Sequence, residues 1–357
     1  MNDGKGRRMT AAVLGVVVVM LVYFFVFAEP LSPEFSAVPQ WKISLGVRAQ
    51  AVTGDGGSGL LAYAAGDRYG YFSPDGEIAF IAESTAPVPI SDSSYIAPAS
   101  GKTAAMLRNQ SSDEIVPFTA GLPFYASGRL FSAEGDGTAL GSYDERGNKL
   151  WSYAFPCQLG AFSAGDRLVV GGTVDGWLEG VDAEGRQVFS FAPGGSRLPV
   201  VLGVGTSRSG DWVAAITGID RQRLVVLGRG GNDYRVASHK YLDSDFREPV
   251  RVLVMEDDRH VLYRRDDGIG VWAVDGSIDT VLPVRADTFD AAMDYSRDIA
   301  YIIARRGRKS EIVAFRLPAT LLGRIALPDS SEFVRISGSS AYIGGRTWLA
   351  RFDFVED

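Results

Sequence analysis

The sequence predicts an all-β chain folded as an eight-bladed β-propeller of four-stranded antiparallel blades. Three observations predict it. The 357 residues include 42 glycines, 14 tyrosines and 19 phenylalanines, a balance that favours short strands and tight turns over helices. A strand–turn–strand unit recurs about every forty residues, the period of a four-stranded blade. The C-terminal run supplies three strands where a unit needs four, and a lone strand near the N-terminus supplies the fourth.

The elements follow in chain order. Residues 1–9 carry Lys5, Arg7 and Arg8 against Asp3, and the positive-inside rule keeps such a segment in the cytoplasm. Thr10 to Ala28 holds no charge over 19 residues, just enough at the helical rise to cross a bilayer's hydrocarbon core. It is read as a transmembrane anchor that places the propeller outside the cytoplasm, on the periplasmic or extracellular side. A cleaved signal peptide is the rival, because Val26-Phe27-Ala28 ends in the small residues that a signal peptidase accepts. Cys157 is the only cysteine, so neither an intrachain disulfide nor a lipidated cysteine after the apolar run is expected. Residues 29–40, with prolines at 30, 33 and 39, read as a semi-extended tether reaching no more than roughly 40 Å.

Residues 41–357 form the propeller domain. The clearest units are "LGSYDERGNKLWSYAF" (140–155) and "LEGVDAEGRQVFSFAP" (178–193). Each gives a strand, an Asp-x-x-Gly turn (Asp144 to Gly147, Asp182 to Gly185) and an apolar–aromatic strand. Glycine is wanted where the chain takes a positive φ to bring the next strand alongside. "YGYFSPDGEIAFIAES" (69–84) and "IGVWAVDGSIDTVLPV" (269–284) share the shape, and weaker copies end near 120, 241 and 328. The units therefore end near 84, 120, 155, 193, 241, 284 and 328. "FVRISGSSAYIGGRTWLARFDF" (333–354) adds three strands, and "WKISL" (41–45), which resembles "WSYAF" (151–155), is the strand expected to complete them and remove the unpaired edges of an open array. The count is then eight blades, with seven as the alternative because the copy at 85–120 is the least regular.

A strand, an Asp-x-x-Gly turn and a Trp-bearing strand resemble the repeats of quinoprotein-like (PQQ-like) propellers and, more loosely, WD40 repeats. "YDERGNKLW" (143–151) is the best match; Phe189 and Phe80 stand where other copies would place the Trp. In size and blade number the chain is similar to the extracytoplasmic propeller scaffold proteins of outer-membrane barrel assembly, which implies a propeller without cofactor. It departs from them in lacking a lipidated cysteine.

Candidates for chemistry are few. The two histidines, His239 and His260, have no supporting triad or zinc motif and read as strand-edge residues. "PASGKT" (98–103) lacks the Gly that a phosphate loop needs at position 96, which is Ile. The acidic clusters at 134–137, 242–246, 255–259 and 264–268 follow no calcium-loop spacing and read as turn chemistry, although carboxylates from different blades meeting at the channel would suit glycoside hydrolysis. "RRGRK" (305–309) is a hairpin tip, or a contact for an acidic partner or anionic polymer. The tryptophans at 41, 151, 177, 212, 272 and 348 read as blade-packing residues. No catalytic, cofactor-binding or metal-binding residue is assigned, and no cofactor is expected.

With residues 1–28 set aside, 33 basic and 42 acidic residues remain, a net charge of −9, which argues against nucleic acid as a partner. The expected function is a non-enzymatic, membrane-anchored scaffold that binds another protein of the cell envelope. The alternatives are a hydrolase or lyase acting on envelope carbohydrate in the central channel, and a ligand-sensing ectodomain.

Overall fold

The computed structural model describes residues 35–46, 59–98, 105–231 and 233–356. The apolar run at 10–28 and all but Pro98 of the loop at 98–103 lie outside them. Eight antiparallel sheets follow one another along the described chain. Blades 1 to 8 span 61–83, 90–117, 122–154, 159–191, 201–241, 252–282, 288–326 and 333–356, the last completed by 35–44. The outer strands of blades 1 to 7 end at Glu83, Pro117, Ala154, Phe191, Tyr241, Leu282 and Ala326, in step with the boundaries read from the repeat. The eight-blade count holds, and seven is set aside.

Six blades have four strands. In blade 2 the innermost strand shrinks to a single bridge between Ile90 and Tyr95, with the Ile96 N–H donating to Pro89 O at 2.9 Å. The cause is local: Pro87 and Pro89 cannot donate to a ladder. Blade 1 has three strands among the described residues. The expectation of four-stranded blades holds, with a single bridge in the innermost place of blade 2; the stretch before Leu61 that would supply the innermost strand of blade 1, residues 47–58, lies outside the described residues.

The ring closes as the repeats imply. Phe35–Ser44 lies beside Trp348–Glu356 as the outer strand of blade 8. It begins six residues before the boundary read at Trp41, so residues 35–40 belong to the sheet rather than to the tether. Pro39 is compatible with this because an outermost strand has a free edge that needs no donor. Eight apolar clusters fill the ring, one in each interface between neighbouring blades, including blades 8 and 1.

The likeness of "WKISL" to "WSYAF" has a physical cause. Trp151, on the outer strand of blade 3, packs over Gly185 in the turn of blade 4, and its Nε1 donates to Ala183 O at 3.0 Å. Trp41, on the outer strand of blade 8, packs over Gly76 in the turn of blade 1 and donates to Pro74 O at 3.0 Å. Pro74 and Ala183 hold the same position in the two turns. Val116 meets Gly147 and Ser238 meets Gly276 in the same way. One residue of an outer strand thus caps the glycine of the next blade's turn, and this contact recurs where the ring shuts.

Alternating strand direction sorts the connections. The Asp-x-x-Gly turns and the first hairpin of each blade lie on one face, the turn face; the second hairpins and the inter-blade loops lie on the other, the loop face. The outer strand of blade 8 runs from the turn face to the loop face, where the Leu45 N–H donates to Thr347 O at 2.8 Å. The chain therefore enters the propeller at Phe35 on the turn face.

Candidate partner-binding face

The acidic clusters of the sequence fall apart in space and are used locally. Glu134, on the loop face of blade 3, accepts from Lys149 Nζ at 2.9 Å and from Tyr143 Oη at 2.8 Å. The lysine contact above all holds its carboxyl below the usual range. Asp257, in a turn-face hairpin of blade 6, faces His260 Nδ1 at 2.6 Å. Burial pushes this carboxyl up, but the ring contact and the backbone N–H groups of Arg259 and His260 outweigh it, so it too sits low. Glu256 accepts from Tyr295 Oη at 3.0 Å, and Asp267 from Arg265 Nε at 2.8 Å. Ser244 and Phe246 of the 242–246 loop are tied to Gln222. His239 is exposed on an outer strand. Among the described residues no three His, Cys, Asp or Glu side chains converge to hold a metal ion.

The channel is lined by innermost strands whose backbones come close. A Cβ at Gly203 would meet Val250 O at 2.0 Å, so only glycine fits between blades 5 and 6. Arg251 of the loop entering blade 6 pairs with Asp290 of blade 7 at 3.1 Å. Asp92 of blade 2 accepts from Nη1 and Nη2 of Arg335 in blade 8 and from the Ala62 N–H of blade 1 at 2.9 Å. These channel charges join blades. On the turn face a cavity of about 570 Å³ lies between blades 4 and 5. Its Arg186 is bound by Asp182 and Glu184, and its Tyr234 hydroxyl by Gly210 O.

The loop face of blades 4 and 5 is different. Trp177 is 41% exposed, Val174 39% and Leu198 53%. Trp177 follows a tight hairpin in which Thr173 Oγ1 accepts the Trp177 N–H at 2.9 Å and Gly176 adopts φ +98°. A Cβ at Gly176 would meet Pro199 O at 2.4 Å, so the hairpin lies directly on the loop that presents Leu198. That loop is fixed in turn by the Ile219 N–H, which donates to Leu198 O at 3.0 Å, and by Asp220, which binds Ser196 and Arg197. Nearby, the Arg221 guanidinium stands 3.7 Å over the ring of Tyr241, itself 41% exposed. Trp, Tyr and Arg on a rigid apolar platform are the residue types that dominate protein–protein binding energy.

Reading all six tryptophans as blade packing was wrong for one of them. Five lie within strands, whereas Trp177 sits between two strands and faces solvent. The available signal was "VDGW" (174–177), where Asp-Gly marks a turn immediately before the Trp.

A closed ring of eight antiparallel blades defines the class: an all-β propeller. The chain belongs to the beta-propeller protein family, whose model matches residues 3–357. It is 23% identical over 345 residues to an uncharacterized protein of Treponema pallidum (strain Nichols), covering 94% of this chain and 92% of that one. In fold it is similar to BamB from Moraxella catarrhalis, with a TM-score of 0.58 at 13% identity over 89% of this chain and 100% of that one. It is also similar to the computationally designed Ika8 protein, with a TM-score of 0.55 at 15% identity over 84% of this chain and 94% of that one. These likenesses concern the fold.

Proposed function

We propose that the protein is a non-enzymatic scaffold of the cell envelope, held by its N-terminal segment and binding another protein through the loop face. The observation that carries this reading is the Trp177 patch. A large aromatic with Val174 and Leu198 is kept exposed on a hairpin that is itself fixed by Thr173, Gly176 and Pro199. Leaving such groups partly exposed forgoes burial energy on the order of 1 kcal/mol per side chain, and a rigid mounting lowers the entropy cost of binding. The apolar segment at 10–28 and the sequence's resemblance to extracytoplasmic propeller scaffolds support the compartment.

The test is photo-cross-linking in intact cells from a reactive residue placed at position 198, followed by mass spectrometry. One envelope protein captured repeatedly, and lost on Trp177→Ala, is the expected result. Capture of nothing but the chain itself overturns the reading. Fractionation and protease accessibility of the full chain test the compartment: a propeller protected on the cytoplasmic side rules it out.

A further inference from the structure

The hairpin at 305–309 lies on the same loop face, in blade 7. Arg306 and Lys309 stand directly opposite each other across its two strands, an arrangement of like charges that destabilises a sheet. The tip is held in place nonetheless: Gly307 takes φ +57° and donates its N–H to Asp287 Oδ2 at 2.7 Å. The loop that carries Asp287 also carries Arg285. Arg285, Arg306 and Lys309 line a cavity of about 510 Å³ between blades 6 and 7, with Arg324 from the outer strand of blade 7.

Two carboxylates share this lining, and both are engaged. Asp267 is held by Arg265 at 2.8 Å, and Glu311 pairs with Arg324 at 3.5 Å. Arg306 and Lys309 have no ion-pair partner among the described residues, and Arg285 meets Asp267 only through its longer-range field. On a chain of net charge −7, three cations without direct counter-charges around one cavity are a local reversal of sign.

We propose that this cleft receives an acidic, extended peptide segment of the bound partner; the inference rests on the scaffold reading. The volume falls within the range of about 300–1,000 Å³ typical of ligand sites. The lining favours a peptide over a uniformly charged polymer or an anionic lipid surface. Asp267 and Glu311 would repel evenly spaced phosphates, whereas Pro283, Ala304 and Ala326 offer apolar contact for side chains between carboxylates. Because the cations are exposed, binding falls as salt rises.

The probe is a fluorescein-labelled synthetic peptide of alternating Glu and Leu, titrated into the purified full chain at low salt and followed by anisotropy. Saturable binding is expected, weakened roughly tenfold or more in the triple variant R285E/R306E/K309E and unchanged in R146E, which reverses an exposed cation on the turn face. Matched thermal melts establish that the triple variant is folded. The inference is overturned by absence of saturable binding, by equal binding to the triple variant, by equal binding of a Gln–Leu peptide, or by polyphosphate or phosphatidylglycerol vesicles binding where the peptide does not. Cross-linking from position 198 separates the two proposals. A partner still captured by the triple variant, together with failed peptide binding, removes the cleft and leaves the scaffold.

Discussion

At the scale of single residues, the contact between an outer-strand residue and the next turn's glycine carries much of the order between blades. A Cβ at Gly185 would lie 2.5 Å from Trp151 Cβ, and the residue already sits at φ +83°. Gly185→Ala therefore meets both a clash and a left-handed backbone, and is expected to lose about 1–3 kcal/mol in urea unfolding. Trp151→Ala removes a buried ring and a hydrogen bond and should cost about 3–5 kcal/mol. Ser112 gives the opposite sign. It occupies the glycine position of blade 2's turn at φ +66°, so Ser112→Gly should raise stability by about 1 kcal/mol in the same assay. The Asp, Gly and Trp of these turns were legible in the sequence, because each letter has one physical job. Trp177 was legible only through its neighbours: its letter is that of a packing Trp, and the Asp-Gly turn before it is what sets it on a hairpin.

At the scale of elements, the outer hairpins of blades 1 to 4 are each organised by a side chain that accepts from its own backbone. Asp144 Oδ1 accepts the N–H of Arg146 at 2.9 Å and of Asn148 at 2.8 Å, and Asp182 does the same for Glu184 and Arg186. Asn109 and Ser73 perform the task in blades 2 and 1. Asp144→Ala should lower the urea-unfolding midpoint modestly, because two backbone N–H groups lose their acceptor at a place where water can replace it. The hairpins were readable because turn chemistry is local. The innermost strands were less so, since they lie against neighbouring backbones rather than showing an alternating pattern. Blade 2, whose inner strand is one bridge, is the extreme case and the reason its copy looked irregular.

At the scale of the whole molecule, two of the contacts that hold the ring shut can be tested separately. One is the N-terminal strand, where Trp41 binds blade 1 and its ring approaches Phe72 and Tyr342, each at 6.3 Å. Trp41→Glu should lower stability by about 3 kcal/mol and broaden the unfolding transition; an unchanged melt would show that the ring does not depend on this strand. The other is Asp92, which binds Arg335 of blade 8 and the Ala62 N–H of blade 1. Burial raises this carboxyl, but those hydrogen bonds outweigh it and hold it low. A carboxyl lower in the folded than in the unfolded chain contributes stability that is fully present above about pH 4 and is lost as pH falls through the folded value. Asp92→Asn should therefore reduce stability at neutral pH and flatten its decline below about pH 4, as measured by urea unfolding across pH.

By itself the sequence determined the repeat, the blade boundaries, the turn chemistry and the closing strand, because these depend on local backbone preferences and on letters that recur at a fixed period. Only the tertiary structure decided which side chains meet across blades. Asp92 and Arg335, 243 residues apart, are brought together by curvature of the ring, and no spacing along the chain encodes that juxtaposition. The exposure of Trp177 was decided at the same level, since burial is a property of what the neighbouring blades leave uncovered.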